Sequence, residues 1–128
     1  MLAALHRVQI NDNGSFGLRA DGSGGTGAVS VGFSDGQASN SNNGVVAVGS
    51  NLASAGIVIT RSAIVNNATN GLQATASGGV IVVGNSTVQG NGTGVNVSAG
   101  GQILTNGNNS LIGNFISNGT FSGPAPLQ

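Results

Sequence analysis

The chain contains no cysteine, lysine, glutamate, tryptophan or tyrosine. Without cysteine there is neither a disulfide framework nor thiol chemistry, and the compartment stays open on that count. The charged residues are Arg7, Arg19 and Arg61 against Asp12, Asp21 and Asp35, and His6 is the lone histidine. The net charge is therefore +0 at pH 7. Such a balance gives no electrostatic reason to expect nucleic acid or a membrane surface as partner. No apolar run is long enough to span a bilayer. The opening MLAALHRVQ has a short apolar run and no basic leader, so no signal peptide is read there. Aromatic residues are limited to Phe16, Phe33, Phe115 and Phe121, few for the platforms that sugar-binding surfaces use.

What the chain does have is 24 glycines among 128 residues, with many Asn, Ser and Val. Glycine, asparagine, serine and β-branched residues all oppose helix. Disorder is opposed in turn by an apolar content of 38%, whose members recur in register. A length of 128 residues fits a single domain over residues 1–128.

The recurrence is an internal repeat. Gly17-Leu18, Gly44-Val45, Gly71-Leu72 and Gly94-Val95 are spaced by 27, 27 and 23 residues. An Asn precedes each pair by three or four positions: Asn13, Asn40, Asn67 and Asn91, with Asn114 continuing the series. Ser62, Ser86 and Ser110 open successive units, with Asp35 in the equivalent place one unit earlier. Within a unit, GVNVS, GLQAT and GLRAD alternate apolar with polar residues, the period of a strand buried on one face. A second strand is read at Ile57-Val58-Ile59, Ile81-Val82-Val83 and Ile103-Leu104-Thr105. A third, short one is read around Ile64, Val88 and Ile112. Three strands joined by Gly, Asn and Ser turns cannot bury their apolar faces alone. Stacked copies can, each strand pairing in parallel with its equivalent in the next copy.

The expected fold is thus all-β, a right-handed, three-faced parallel β-helix (solenoid) of about four to five coils, spaced by about 4.8 Å. Asn suits left-handed corner backbone and can hydrogen-bond the Asn above it. Gln37 breaks the pattern, falling where Ile10 and Ile64 point inward, so that either the register slips there or that coil is locally loose. Residues 1–6 are expected as an N-terminal lid. Phe115, Ile116 and Phe121 are expected to plug the other end, and 122–128 to form a flexible tail.

The pattern S-x-[IV]-x-x-N-x-x-x-G-[IVL]-x-[AV] resembles the repeat of the right-handed parallel β-helix family, the pectate-lyase-like superfold. It is carried by Ser62, Ile64, Asn67, Gly71, Leu72 and Ala74, then by Ser86, Val88, Asn91, Gly94, Val95 and Val97. The likeness covers roughly residues 7–115. It implies the fold, and an extracellular or cell-surface setting. That fold hosts lyases, hydrolases and non-catalytic surface proteins alike. Its lyases hold calcium with acidic residues and use Arg or Lys as base; related hydrolases pair carboxylates.

Little here matches that chemistry. In the 27-residue register Arg7, Ser34 and Arg61 share one vertical line with Asp35 beside it, a charged patch for an acidic polysaccharide or else a surface ion pair. Ser62 and Ser86 follow Asp35 on its own line, so no second carboxylate joins it. DGSGGTG, from Asp21 on, lacks the order of calcium-binding repeats and the lysine of a phosphate loop, and is read as a corner insertion. His6 without a second ligand argues against zinc. No catalytic, cofactor or metal residue is assigned. More telling are apolar residues on outward positions. Val58, Val82 and Leu104 stack on one face, and Val46 and Val48 also point outward. An aliphatic stripe of this kind invites a second subunit. The leading expectation is a non-catalytic structural or interaction module that forms a homo-oligomer through that stripe. The other is a carbohydrate-binding or polysaccharide-degrading remnant contacting its ligand through Arg7, Asp35 and Arg61.

Overall fold

The computed structural model describes residues 1–126. It is an all-β parallel solenoid of about four turns. The first turn holds β1 (Leu2–His6), β2 (Gln9–Asn11) and β3 (Phe16–Asp21). The second holds β4 (Ala28–Ser34), β5 (Gln37–Ser39) and β6 (Asn43–Val48). The third holds β7 (Ser54–Thr60), β8 (Ala63–Val65) and β9 (Asn70–Thr75), and the fourth β10 (Gly79–Gly84), β11 (Thr87–Gln89) and β12 (Thr93–Ser98). A partial fifth turn adds β13 (Gln102–Gly107), β14 (Ser110–Ile112) and the two-residue β15 (Gly123–Pro124). Equivalent strands pair in parallel into three sheets: β1-β4-β7-β10-β13-β15, β2-β5-β8-β11-β14 and β3-β6-β9-β12.

Side-chain alternation fills the interior. In the first sheet Val31, Ile57, Ile81 and Ile103 form one inward column, and Leu5, Phe33, Ile59 and Val83 the next. The second sheet contributes Ile10, Ala38, Ile64, Val88 and Leu111. The third contributes Leu18, Val45, Leu72 and Val95. Burying one of these aliphatic side chains stabilises by about 1.5–3 kcal/mol. The inward residue of β14 is Leu111, not Ile112, which is exposed. The position beside Ile10 and Ile64 belongs to Ala38; Gln37 lies one residue away on the outer side and donates to Ser39 Oγ. No loose coil results. Phe33 is fully buried inside the column. A methyl on Gly36 would come within 2.7 Å of its ring, so glycine at that corner makes room for the largest core side chain.

Two corners turn on a single residue in the left-handed region. At the first corner these are Arg7, Asp35, Arg61, Asn85 and Asn108, with φ between 47° and 56°. At the second they are Asp12, Asn40, Asn66, Gly90 and Gly113. Asn and Asp tolerate this backbone better than other side-chain-bearing residues, which is why they recur there. The third corner is looser. Its connectors, 22–27, 49–53, 76–78 and 99–101, shorten over the first three and then hold the same length.

The polar interior lies just past the second corner. Asn67, Asn91 and Asn114 stack there, Asn67 and Asn91 essentially without exposure. Asn91 Oδ1 accepts from the Asn67 backbone N–H at 3.0 Å and from Asn67 Nδ2 at 2.9 Å. Its own Nδ2 donates to the Ile64 carbonyl at 3.0 Å and to Asn114 Oδ1 at 3.0 Å. Asn114 repeats the pattern toward Val88 and Asn118, and Ser41 N–H donates to Asn67 Oδ1. The column runs through Ser41 and not through Asn40. The second sheet steps by 28 residues from β2 to β5 and by 26 from β5 to β8, so Asn40 stacks between Asp12 and Asn66 at the corner. A shorter relay follows the first corner, where Gly36 N–H donates to Ser62 Oγ, Ser62 N–H to Ser86 Oγ and Ser86 N–H to Asn109 Oδ1. Among the described residues no buried side-chain polar atom lacks a partner.

The ladder explains the glycine beside it. A methyl on Gly71 would sit 2.7 Å from Asn91 Nδ2 and 2.9 Å from the Gly94 carbonyl; Gly44 meets Asn67 and Gly71 in the same way. The Gly-aliphatic repeat is therefore the imprint of the amide column on the third sheet.

Residues 1–6, expected as a lid, instead supply β1, which pairs with β4 along its length. At the other end Phe121 packs on the core, whereas Phe115 and Ile116 stand in solvent and plug nothing. Of the expected tail 122–128, Gly123–Pro124 pairs with β13, and residues 127–128 lie outside the described residues.

Replacing Asn91 with Ala orphans the Asn67 N–H and takes one acceptor from Asn67 Nδ2 inside the column, and is expected to lower stability by about 1–3 kcal/mol. Gly71→Ala should cost about 1–3 kcal/mol through overpacking. Asn13→Ala, at an exposed position of the same column, should be close to neutral. Urea unfolding followed by circular dichroism measures all three; equal midpoints for Asn91→Ala and Asn13→Ala would remove the amide column from its structural role.

Candidate functional site

The first corner gathers charge. Arg7, Asp35 and Arg61 occupy successive floors of its left-handed column, followed by Asn85 and Asn108. Asp35 is thus in line between the two arginines rather than beside them, and Ser34 stacks instead on His6. Likewise Ser62 and Ser86 follow Gly36, not Asp35. Arg61 grips Asp35 in a two-point contact, Nε to Oδ1 and Nη2 to Oδ2, both at 2.8 Å. His6 Nδ1 lies 3.3 Å from Asp35 Oδ2 and 3.1 Å from Ser34 Oγ. His6 is the member of this cluster that sequence reasoning set aside; its signal was the 28-residue step that stacks it on Ser34. Arg7 shares the column but makes none of the ion pairs found among the described residues.

Hydrogen bonding from Arg61 holds the Asp35 carboxyl below the usual carboxylate range against the opposing effect of desolvation, with the positive charges of Arg61, His6 and Arg7 assisting. The same contact raises Arg61. A carboxylate with a lowered pKa and both oxygens engaged is poorly suited to general acid or base work at neutral pH. The other two carboxylates are elsewhere. Asp21, on the third sheet, bonds Arg19 and the Ser23 hydroxyl and N–H, and those Ser23 contacts are the main reason its pKa is lowered. Asp12 is at the second corner. Among the described residues no group of three or more His, Cys, Asp or Glu side chains could hold a metal ion.

The outer surface of the first sheet is different in kind. Its middle row reads Ala4, Gly32, Val58, Val82, Leu104 and Gly123 across six strands. The row beside it reads Leu2, Ser30, Gly56, Val80 and Gln102. Val58 is 46% exposed, and Val82 and Leu104 are half-buried. Val46 and Val48 do not extend this stripe, because they lie on the third sheet. Val46 sits between Arg19 and Gln73 and is only 2% exposed, so it offers no contact surface; Val48 sits between Asp21 and Thr75. The third sheet's outer face is polar around them. There the Arg19 guanidinium also lies 4.8 Å over the Phe16 ring.

The surface also carries depressions without charge. One of about 360 Å³ at the third corner is lined by Ser50, Asn51, Leu52 and Ser77. Another, of about 600 Å³, lies between Thr105, Asn106, Pro124 and Ala125. Neither is lined by a titratable side chain. The class defined by this architecture is the parallel β-solenoid, with a buried asparagine hydrogen-bond network. No family model, curated protein or solved structure matches the chain.

A carboxylate whose folded-state pKa is depressed stabilises above its unfolded value, about 3.9, and that stabilisation is lost as pH falls through the lower folded value. Asp35→Asn keeps a residue tolerant of the left-handed corner and removes this linkage. Thermal unfolding between neutral pH and pH ~3 should therefore fall more steeply in the wild type than in Asp35→Asn, with the two converging in acid. Parallel curves would mean that the Asp35–Arg61 contact contributes nothing in solution.

Proposed function

We propose that the chain is a non-catalytic structural or interaction module that self-associates through the outer face of its first sheet. The carrying observation is the middle row of that face, where every residue from Ala4 to Gly123 is Gly, Ala, Val or Leu. The outer rows of the other two sheets mix polar with apolar residues, such as Ser39, Val65, Gln89 and Ile112 on the second and Arg19, Val46 and Gln73 on the third. Small aliphatic side chains on a regular sheet favour close face-to-face packing with little side-chain entropy to lose. A chain without net charge has no long-range repulsion to oppose association. We also group the chain with the right-handed, pectate-lyase-like solenoids on its repeat motif, a kinship of architecture that carries no chemistry. The sugar-binding alternative rests on Arg7, the guanidinium of the corner column outside the ion pairs. Asp35 supports it poorly, since Arg61 already occupies both of its oxygens.

Analytical ultracentrifugation over a concentration series tests the proposal. The 12.3 kDa chain should sediment as a dimer or larger species, and Val58→Asp with Val82→Asp should sediment as a folded monomer. A wild type that stays monomeric throughout would overturn it. A charge pair at Val58 and Val82 that leaves the assembly intact would move the interface elsewhere.

A further inference from the structure

The chain carries six Asn-Gly pairs, at 13–14, 43–44, 70–71, 91–92, 106–107 and 118–119. In such a pair the backbone nitrogen of the glycine can attack the side-chain carbonyl carbon of the asparagine, because no Cβ on the following residue obstructs the approach. The solenoid sorts the six. Asn43-Gly44 and Asn70-Gly71 lie inside β6 and β9, with both glycines buried against the amide column. Asn91 is fully buried, and Gly92 N–H donates to the Asn67 carbonyl. Gly107 N–H donates to Thr105 Oγ1, and Gly119 N–H to Ser117 Oγ. In each case the strand, the burial or a hydrogen bond withholds the nucleophilic nitrogen or fixes the amide away from it.

Asn13-Gly14 has none of these restraints. Both residues are exposed, in the bend between β2 and β3. Among the described residues Gly14 N–H meets no acceptor, and a Cβ built on Gly14 would find nothing within 4 Å. The Asn13 amide has one recorded contact, Nδ2 to the Asn11 carbonyl at 3.2 Å, which leaves Cγ open to attack. We propose that Asn13 is a site of spontaneous chemical modification, converting through a cyclic imide to aspartate and isoaspartate while the other Asn-Gly pairs of the folded chain are spared. The Gly14 nitrogen bonds to Asn13 Cγ and gives up its proton to solvent. The Cγ–Nδ2 bond breaks and ammonia leaves. Water then opens the ring at either carbonyl, with no change of oxidation state. The product adds one negative charge beside Asp12 and takes the molecule from a net charge of +0 to −1.

Cleavage after Arg7 and Arg19 isolates residues 8–19, whose one Asn-Gly pair is 13–14; cleavage after Arg61 separates 20–61 from 62–128. The full folded chain is aged in mildly alkaline buffer made with heavy-oxygen water, then digested and analysed by mass spectrometry. The expected result is amide loss with heavy-oxygen uptake in 8–19 well ahead of the other peptides, and a matching acidic band on isoelectric focusing. In urea the pairs in all three peptides should convert. Gly14→Ala should slow conversion of 8–19 roughly tenfold, since its methyl obstructs the attacking nitrogen. Amide loss appearing first in 20–61 or 62–128, equal rates in all three peptides of the folded chain, or a Gly14→Ala rate matching the wild type would each overturn the proposal.

Discussion

Everything in this molecule is arranged around a primary amide that has been taken out of water. Asn91 makes hydrogen bonds at both ends of its side chain, to the floors on either side of it. Burying an amide unpaired would cost several kcal/mol, so the site is tolerable only if the amides above and below are in place. That condition propagates: Asn67 requires Asn91, and Asn91 requires Asn114. It also reaches sideways, since each amide occupies the space a side chain would need on Gly44, Gly71 or Gly94. The aliphatic columns supply most of the stabilising area, but they are tolerant of exchange among Val, Ile and Leu. The amide column is not, and it sets the vertical alignment.

Much of this was legible in the residues. The Gly-aliphatic pairs gave the third sheet in its true register, because the close approach to the amides leaves no alternative to glycine. The inward aliphatics of the first sheet were legible for the same reason that makes them strands, strict alternation. The second sheet was misread by one residue in the second turn. Its three-residue strands carry too little alternation to fix their phase. The turn also replaces the ladder amide by Ser41 while placing an asparagine, Asn40, at the neighbouring left-handed corner. Two different physical demands, an amide donor and a tolerated positive φ, select the same residue type. Composition cannot separate them; the 28- and 26-residue steps do. That shift made Gln37 look like a core defect; in the fifth turn, taking Ser110 as the equivalent of Ser86, which Asn109 in fact follows, made Ile112 look like a core residue.

The surface was less legible than the interior. Asp35, Arg61 and Arg7 were recognised as neighbours, yet their order followed from the corner rather than from a strand, and His6 entered only with the true step. Val46 shows the limit of alternation as a guide to exposure. It points away from the core as expected, but it is one of the most buried residues of the third sheet. Direction is a property of the backbone; exposure depends on neighbours such as Arg19 and Gln73, whose length the period does not encode. Val58 is open by contrast because its neighbours, Gly32 and Gly56 among them, are too short to fold over it.

The unequal connectors at the third corner bear on how such a repetitive chain avoids ambiguity. Its faces are nearly interchangeable, since Ile57 and Ile81 or Leu72 and Val95 would fit one another's places. The early segments 22–27 and 49–53 are not interchangeable with the shorter 76–78 and 99–101, which match each other in length. If an early floor and a late one traded places, a short connector would be stretched while a long one bulged. The order of early floors before late ones is thus encoded at the third corner, where the number of residues discriminates against that shuffled assembly.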